Sequence, residues 1–503
     1  MHGIKHAGLA ICLTLGACNV GPNFKPPATI APRDWHQSTA PAASRTLQTR
    51  IDPQWWRIYR DPILSDLEAQ VANANFDLKA AAYRYAESLD ERRIAGAAQF
   101  PQATANASYA RERASPNGVL GLLGTLDNPG AGDIANGTQG FGPTYLPGRS
   151  GAGSFNLPQF GLGASWEVDF WGHVRRQVES ADAATQATND VRRDLLVSLM
   201  ARTAQDYVDL RSVQAQIAIV NQNLDIARHS VQLTTLRFSQ GAATRMDVAD
   251  ATGQLNTFES RLPVLKRQEV HLINALSFLV ARPPGALTAQ LGPPRNIPSV
   301  PQNVPVGLPS ELAERRPDIR VAAERLHAAT ANVGVAIADF FPRVTLTGSL
   351  DIQALQFSGL GTWASRQYGF GPTVSLPIFQ GGRLIGQLKL RREQQREAAV
   401  MFQSTVLKAW QEIDDAMADF STAQAQRDRL AAAVAQNREA VRIAQVQYAQ
   451  GSADFLNVLT LQNALLSTQR DLVSATADVS GSVARLYRAL GGGWETKYPE
   501  HHA

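Results

Sequence analysis

The 503-residue chain has only 2 cysteines, Cys12 and Cys18, and both lie within its first 18 residues. A disulfide framework and a cysteine-based zinc site are therefore excluded. No apolar run reaches the roughly 18 to 20 residues that a membrane-spanning helix needs, which excludes a helical membrane protein. Charge of one sign is also missing. The 48 Lys and Arg stand against 44 Asp and Glu and are dispersed, so no nucleic-acid-binding stripe forms. The 9 His pair with no Cys, Asp or Glu at metal-ligand spacing, His501 and His502 sit in the tail, and 5 Met give little support to a soft-metal relay. No Ser/His/Asp arrangement stands out. Gly491-Gly492-Gly493 follows a helical stretch and opens no new one, so it terminates a helix and is not a phosphate loop. The expectation is a protein that is not an enzyme and uses no cofactor.

At the amino terminus Lys5 and His6 precede a short apolar stretch, Ala7 to Ala17, that ends in small residues. This is the pattern of a secretory signal over residues 1–17. Leu15-Gly16-Ala17-Cys18 resembles the bacterial lipobox, whose cysteine is acylated and becomes the first mature residue. A lipid on Cys18 would anchor the chain to a membrane without spanning it. Asn19, not Asp, follows, which in lipoproteins favours export to the outer membrane. The bland alternative is an ordinary signal peptide with an incidental cysteine.

The chain is internally duplicated. Leu236-Arg-Phe-Ser-Gln-Gly241-Ala-Ala-Thr-Arg-Met-Asp-Val248 matches Val446-Gln-Tyr-Ala-Gln-Gly451-Ser-Ala-Asp-Phe-Leu-Asn-Val458, displaced by 210 residues, a displacement that also pairs Ser165 with Ser375 and Gly172 with Gly382. Upstream, Ala97 to Pro101 matches Ala338 to Pro342 at a displacement of 241, which implies a 31-residue insertion in the first copy. From His173 to Gln240, and again from Gln387 to Gln450, there is neither Gly nor Pro, and apolar residues recur at helical spacing. Such a helix spans about 100 Å, more than a globular domain needs, and suits a tube wall with water on both sides. Gly241 and Gly451 end these helices, and Thr244 and Asp454 are candidate N-caps for returning helices that run to about Arg282 and Arg488.

After Pro101 and Pro342 the period switches to two. Phe160, Leu162, Ala164, Trp166, Val168 and Phe170 alternate with Gly161, Gly163, Ser165, Glu167 and Asp169. Val344, Leu346, Leu350 and Ile352 form one face of a further run, Tyr368, Phe370, Val374, Leu376 and Ile378 another, and residues 102–111 alternate more weakly. Each run is about 9 to 11 residues, the length of a tilted transmembrane strand; a half-buried soluble hairpin would alternate in the same way. Four strands cannot close a barrel, and lipid tolerates no open edge, so several chains must contribute. Two copies give eight strands and a filled interior, three give twelve and a lumen.

These segments, with Cys18-Asn-Val-Gly-Pro-Asn23, Trp55-Trp56-Arg-Ile-Tyr-Arg-Asp-Pro-Ile-Leu64, Ser165-Trp-Glu-Val-Asp-Phe-Trp-Gly172 and Gly307-Leu-Pro-Ser-Glu-Leu-Ala-Glu-Arg-Arg-Pro-Asp-Ile-Arg320, resemble the TolC-like outer-membrane factors, in particular the lipoprotein (NodT-type) branch that serves RND efflux pumps. The resemblance implies an α+β membrane protein of the bacterial outer membrane, a homotrimer whose twelve-stranded transmembrane β-barrel stands above a long α-helical tunnel. It implies docking to a periplasmic membrane-fusion adaptor and, through it, to an inner-membrane RND pump. An outer-membrane channel for type I protein secretion is the nearest alternative, and a non-conducting coiled-coil envelope protein a more distant one.

By the same resemblance the hairpin tips, Gly241 and Gly451, meet the adaptor, and carboxylates near them narrow the aperture. The matching positions are Asp247 and Asp250, three residues apart on one helix face, though Thr244 and Asp247 also read as a local capping pair. Asp454 and Asn457 occupy equivalent tip positions in the second copy. There Asn457 and Thr460 replace carboxylates and Ala453 an arginine found in some relatives, so Arg245 is the candidate cation. Tyr448 matches a gate tyrosine, but its repeat equivalent is Phe238, and a plain core aromatic is the other reading.

The resulting division is a signal peptide (1–17), a lipidated N-terminal segment (18–63), a first-repeat helix (64–100), β-hairpin with a long external loop (101–171) and helical hairpin (172–282). A Pro-rich linker (283–310) leads to the second-repeat helix (311–341), β-hairpin (342–379) and helical hairpin (380–490), and a tail (491–503) ends the chain.

Overall fold

In a computed structural model of the chain, the structure describes residues 19–27, 44–113, 154–309 and 315–499. The signal peptide, Cys18, nearly all of the external loop, the start of the expected second-repeat helix and His501 and His502 lie outside the described residues. Strand β1 (Arg45–Leu47) precedes helices α1 (Pro62–Ala74) and α2 (Phe76–Ala97), then strands β2 (Gln102–Arg113) and β3 (Ser154–Val168). Helices α3 (His173–Ser239), α4 (Arg245–Leu279) and the one-turn α5 (Thr288–Leu291) follow, with β4 (Asn303–Pro305) and α6 (Pro317–Ala338) after them. The chain then runs through β5 (Arg343–Gln353), β6 (Arg366–Ser375), α7 (Arg383–Ala449) and α8 (Phe455–Leu490).

The duplication is visible in the element bounds. Moving α2 by 241 residues gives 317–338, the bounds of α6, and moving α3 by 210 gives 383–449, the bounds of α7. Helices α3 and α7 each run for 67 residues; Pro is absent from both, and the one Gly, Gly386, sits in the first turn of α7 where it interrupts nothing. Two expectations are corrected. The helix foreseen over 64–100 is two helices, because Asn75 leaves the helical region (ψ 133°) and its side chain caps α2 by accepting from the N–H groups of Asp77 (2.9 Å) and Leu78 (3.1 Å). The last strand stops at Ser375, so Leu376 and Ile378 lie beyond it; Pro377 has no N–H to give a ladder, and Gly381 and Gly382 then turn the chain at positive φ.

Contacts divide the chain into two compact units. The first takes in the described parts of Met1–Asn23, Glu91–Ala181 and Thr330–Glu393. It holds an antiparallel sheet in the order β2-β3-β5-β6. Strands β2 and β6 form its edges and are exposed at nearly every position. One face carries Leu162, Leu346, Leu350, Tyr368, Phe370 and Val374, all exposed, with Phe370 at 86%. The other face carries Thr104, Asn106, Ser108, Ser165, Thr347 and Thr373.

The second unit takes in Phe24–Asp90, Asp182–Ala329 and Gln394–Ala503. Its core gathers Trp55, Trp56, Leu64, Leu67, Leu196, Met200, Tyr207, Leu276, Leu486 and Tyr487. Fully burying one such side chain contributes about 1.5–3 kcal/mol, so packing, more than intrinsic propensity, fixes α1 and its Asp61 cap. Strands β1 and β4 add a short parallel pair at the edge of this core.

Candidate functional site

The hairpin tips of the second unit carry most of the expected site residues. Gly241 (φ 71°) and Gly451 (φ 77°) adopt the left-handed conformation that glycine takes without steric cost. The Gly241 N–H donates to the Phe238 carbonyl (3.0 Å) and the Ala242 N–H to that of Arg237 (2.8 Å). In the second copy the Gly451 N–H donates to Tyr448 (3.0 Å) and the Ser452 N–H to Gln447 (2.9 Å). Both helices therefore end in the same Schellman turn, which satisfies their last carbonyls.

The return helices begin at once. Asp247 Oδ2 accepts from the Thr244 N–H (2.7 Å) and hydroxyl (2.9 Å), while the Asp247 N–H donates to Thr244 Oγ1 (3.2 Å). Asp247 thus closes a capping box with Thr244, the local role that its spacing allowed. Asp250, one turn on, is half-buried and has no hydrogen-bond or ion-pair partner among the described residues. Asp454 caps α8 by accepting from the Leu456 N–H (3.4 Å), and Asn457 is exposed at the third helical position.

Tyr448 is 6% exposed, whereas its repeat equivalent Phe238 is 46% exposed. The tyrosine packs with Ala251, Ala444, Phe455 and Val458, its ring centroid 5.2 Å from that of Phe455, so it is a core aromatic of the tip. Arg237 lies over the ring at 4.5 Å and donates from Nη1 to the carbonyl of Tyr448. The Tyr448 hydroxyl is buried and makes no hydrogen bond among the described residues. Burial pushes its pKa up; Arg237 opposes this, and Asp247 and Asp454 reinforce it. The cation at this tyrosine is Arg237; Arg245, the candidate aperture cation, is exposed and unpaired among the described residues. The 210-residue displacement places Gln447 opposite Arg237, so a charge present in one copy alone was the available signal. A cleft of about 480 Å³, lined among others by Asp225, His229, Ser230, Gln445 and Tyr448, opens beside this contact. Between the return helices, Gln254 and Asn463 exchange amide hydrogen bonds (2.7 and 3.3 Å).

The Arg315–Arg320 motif serves the second unit's structure. Arg316 donates from Nη1 to the Ala489 carbonyl (2.7 Å), grips Asp318 with Nε and Nη2 (2.9 and 2.7 Å), and reaches Glu412 (2.7 Å). Gly491 sits so close that a Cβ there would lie 2.7 Å from Arg316 Cγ. The Trp494 indole donates to the Arg315 carbonyl (3.0 Å) and lies beneath Arg193 and Arg320. The motif ties the start of the second repeat to the end of α8 and the residues after it.

In the first unit, the residues just after Cys18 are held in place. The Val20 N–H donates to the Trp171 carbonyl (3.1 Å), and buried Arg176 donates to the Val20 carbonyl (3.3 Å) and to Asn23 Oδ1 (2.7 Å). Gly21 (φ 93°) packs on Gly334, where an added Cβ would meet Cα at 2.6 Å. Among the described residues no group of three or more His, Cys, Asp or Glu could hold a metal ion, and no helix is long and apolar enough to cross a membrane.

A family model described as "Outer membrane efflux protein" matches residues 68–282 and 308–492. The chain is 29% identical to the outer membrane protein OprJ of Pseudomonas aeruginosa, over 97% of this chain and 96% of that one. It is 30% identical to the toluene efflux pump outer membrane protein TtgC of Pseudomonas putida, over 95% and 93%. Among solved structures, the outer-membrane channel OprN superimposes with a TM-score of 0.83 at 30% identity, over 95% of this chain and 100% of that one.

Proposed function

The chain belongs to the outer membrane efflux protein family, and on that premise we propose that it is the outer-membrane channel of a tripartite RND-type efflux system. It is an outer-membrane efflux protein. Our reading adds a homotrimer, a twelve-stranded barrel, a helical tunnel and a lipid on Cys18. The tunnel's tips, at Gly241 and Gly451, dock a periplasmic adaptor that connects to an inner-membrane pump. Transport of drugs or other toxic small molecules through it is passive, needs no cofactor and draws its energy from those partners.

The observation that carries this reading is the four-stranded sheet. Its exposed Leu162, Leu350, Phe370 and Val374 share one face, polar residues occupy the other, and both edges are open. A soluble protein would hide such a face, whereas lipid accepts the face and forbids the edges. In the trimer, Asp247 and Asp250 bring six carboxylates into a ring that narrows the aperture.

The test has two arms. Purified protein in a planar bilayer should conduct, and a strain lacking the gene should become hypersensitive to part of a panel of toxic compounds and be restored by the gene. A protein that never conducts and a deletion strain with unchanged tolerance would overturn the proposal.

A further inference from the structure

We infer that the apolar face of the sheet carries, at one end, a binding site for phosphate-bearing lipid headgroups, built from the guanidinium groups of Arg111, Arg113 and Arg366. The ligand is an acylated, phosphorylated glycolipid of the outer leaflet. On the channel reading above, on which this site rests, the strand ends that do not join helices face outward.

The charges of the sheet are sorted by face. Opposed residues of a ladder share a face, and side chains alternate along each strand, so the register assigns every position. Glu112, Glu167 and Asp351 fall on the polar face with Thr104, Ser165 and Thr347. Arg111 and Arg113 continue the row of Ala105, Ala107 and Tyr109 on the apolar face. Arg366 stands opposite Ile352, which stands opposite Phe160 on that same face. Among the described strand residues of the sheet, these three arginines are the only charged groups on the apolar face, and no carboxylate among the described residues pairs with any of them. The remaining strand arginine, Arg343, lies on the polar face and is bonded to Asp339 (2.6 Å).

All three sit where a strand meets the outward end. Arg111 and Arg113 close β2, and Arg366 opens β6. A guanidinium on the lipid side is costly at the middle of a bilayer and nearly free at its edge. Aromatic rings with a polar tip mark that edge. Tyr109, next to Arg111 on the same row, donates from its hydroxyl to Asn156 Oδ1 (2.9 Å) and stacks on Phe357 at 5.6 Å. Arg366 lies over the ring of Trp363, 3.0 Å from its centroid, and the indole is itself 79% exposed. Nη1 of Arg366 is buried with no hydrogen bond among the described residues, so this cation is partly out of water with no counter-charge beside it.

Phosphate answers that arrangement. A stacked guanidinium is held flat with its N–H groups in plane, the geometry that grips two phosphate oxygens at once. Arg111 and Arg113 stand two residues apart on one face, about 7 Å along the strand, close enough to share one phosphate. The acyl chains of the same lipid lie along Leu350, Phe370 and Val374, which are exposed on that face. Inorganic phosphate supplies the charge without the chains, so the site takes the lipid.

Lipid binding tests the site. Full-chain protein in dodecyl maltoside is titrated with radiolabelled lipid A, an acylated disaccharide carrying two phosphates, and bound lipid is counted after gel filtration. The parent protein should hold it at least about tenfold more tightly than the same lipid stripped of phosphate, and a tenfold excess of inorganic phosphate, roughly, should not displace it. Arg111→Gln with Arg113→Gln removes two exposed side chains that make no bond among the described residues, and should weaken binding about tenfold. Arg366→Gln should act in the same direction, and Arg111→Lys with Arg113→Lys should fall between, because the charge stays and the fork is lost. Glu112→Gln, between the two arginines in sequence and on the opposite face, should not weaken binding. Equal retention of the two lipids, displacement by inorganic phosphate, or unchanged affinity in the double glutamine variant would overturn the site. Planar-bilayer conductance of the same preparations separates the site from the channel reading, and variants that conduct like the parent are folded. A parent protein that conducts without preferring the phosphorylated lipid defeats the site alone, whereas one that neither conducts nor takes up lipid defeats the channel reading and the site with it.

Discussion

The guanidinium of Arg237 lies 4.5 Å over the ring of Tyr448 and donates from Nη1 to the carbonyl of the same residue. That carbonyl also accepts the N–H of Gly451, so one oxygen joins the C-terminal end of α3 to the turn that ends α7. A charge-assisted hydrogen bond contributes about 1.5–3 kcal/mol and a partly exposed cation–π contact about 0.5–1 kcal/mol. Arg237→Ala should therefore speed hydrogen exchange at the amides of residues 448–452 by about ten- to a hundredfold. Arg237→Lys, which keeps the charge but not the planar stacking, should fall between. Equal exchange in the alanine variant would leave the contact without an energetic role.

Asp247 and Asp250 separate capping from constriction. Asp247 belongs to the capping box, and Asp247→Ala should cost about 1 kcal/mol of stability. Asp250 makes no bond among the described residues, and Asp250→Ala should leave stability unchanged. The double variant should raise single-channel conductance in planar bilayers, with Asp250→Ala alone giving part of the rise. Conductance unchanged in the double variant would remove both carboxylates from the aperture.

Glu68 is fully buried in α1, and neither carboxylate oxygen has a partner among the described residues; burial raises its pKa well above the ordinary 4.5. The folded state keeps the proton while the unfolded state gives it up near the ordinary value. Stability tied to this group is therefore complete below about pH 4.5 and is lost progressively as pH rises toward the folded value. Glu68→Gln carries no such titration. Its thermal midpoint relative to the parent protein should climb steadily from pH 4.5 to pH 8, by an amount worth at most about 1.4 kcal/mol per pH unit. Parallel pH profiles for the two proteins would show that Glu68 ionises without cost.

Arg316 holds the Ala489 carbonyl, Asp318 and Glu412 from a buried position. Removing one member of a buried pair costs about 3–5 kcal/mol, less where the partner is solvated. Glu412 is 40% exposed, so Arg316→Ala should lower unfolding stability by about 2–3 kcal/mol. Arg316→Lys should recover less than half, because an ammonium cannot grip Asp318 with two parallel bonds. The check is denaturant unfolding followed by Trp fluorescence, since Trp494 reports on the same contact. Full recovery by lysine would reduce the site to a point charge.

Much of the fold was legible because its signals are local or periodic. The two Pro-free, Gly-free runs located α3 and α7, and alternation located β2, β3, β5 and β6 to within a few residues. The glycine tips and the caps at Thr244 and Asp454 follow from backbone chemistry that any four neighbouring residues express. Asn75 escaped notice because asparagine breaks a helix only when its side chain caps the next one. Arg237 escaped because its partner lies 211 residues away, and nothing near Arg237 in the chain announces Tyr448.

By itself the sequence determined the duplication, the places of the long helices and the four strands to within a few residues, and the family resemblance, because each is written in spacing along the chain. The tertiary structure decided which copy's aromatic is buried, which arginine covers it, and that Asp247 is bonded while Asp250 has no partner among the described residues. It also decided which strand edges stay open. Those outcomes depend on how helices and strands distant in the chain pack together, and packing energy is a property of neighbours in space.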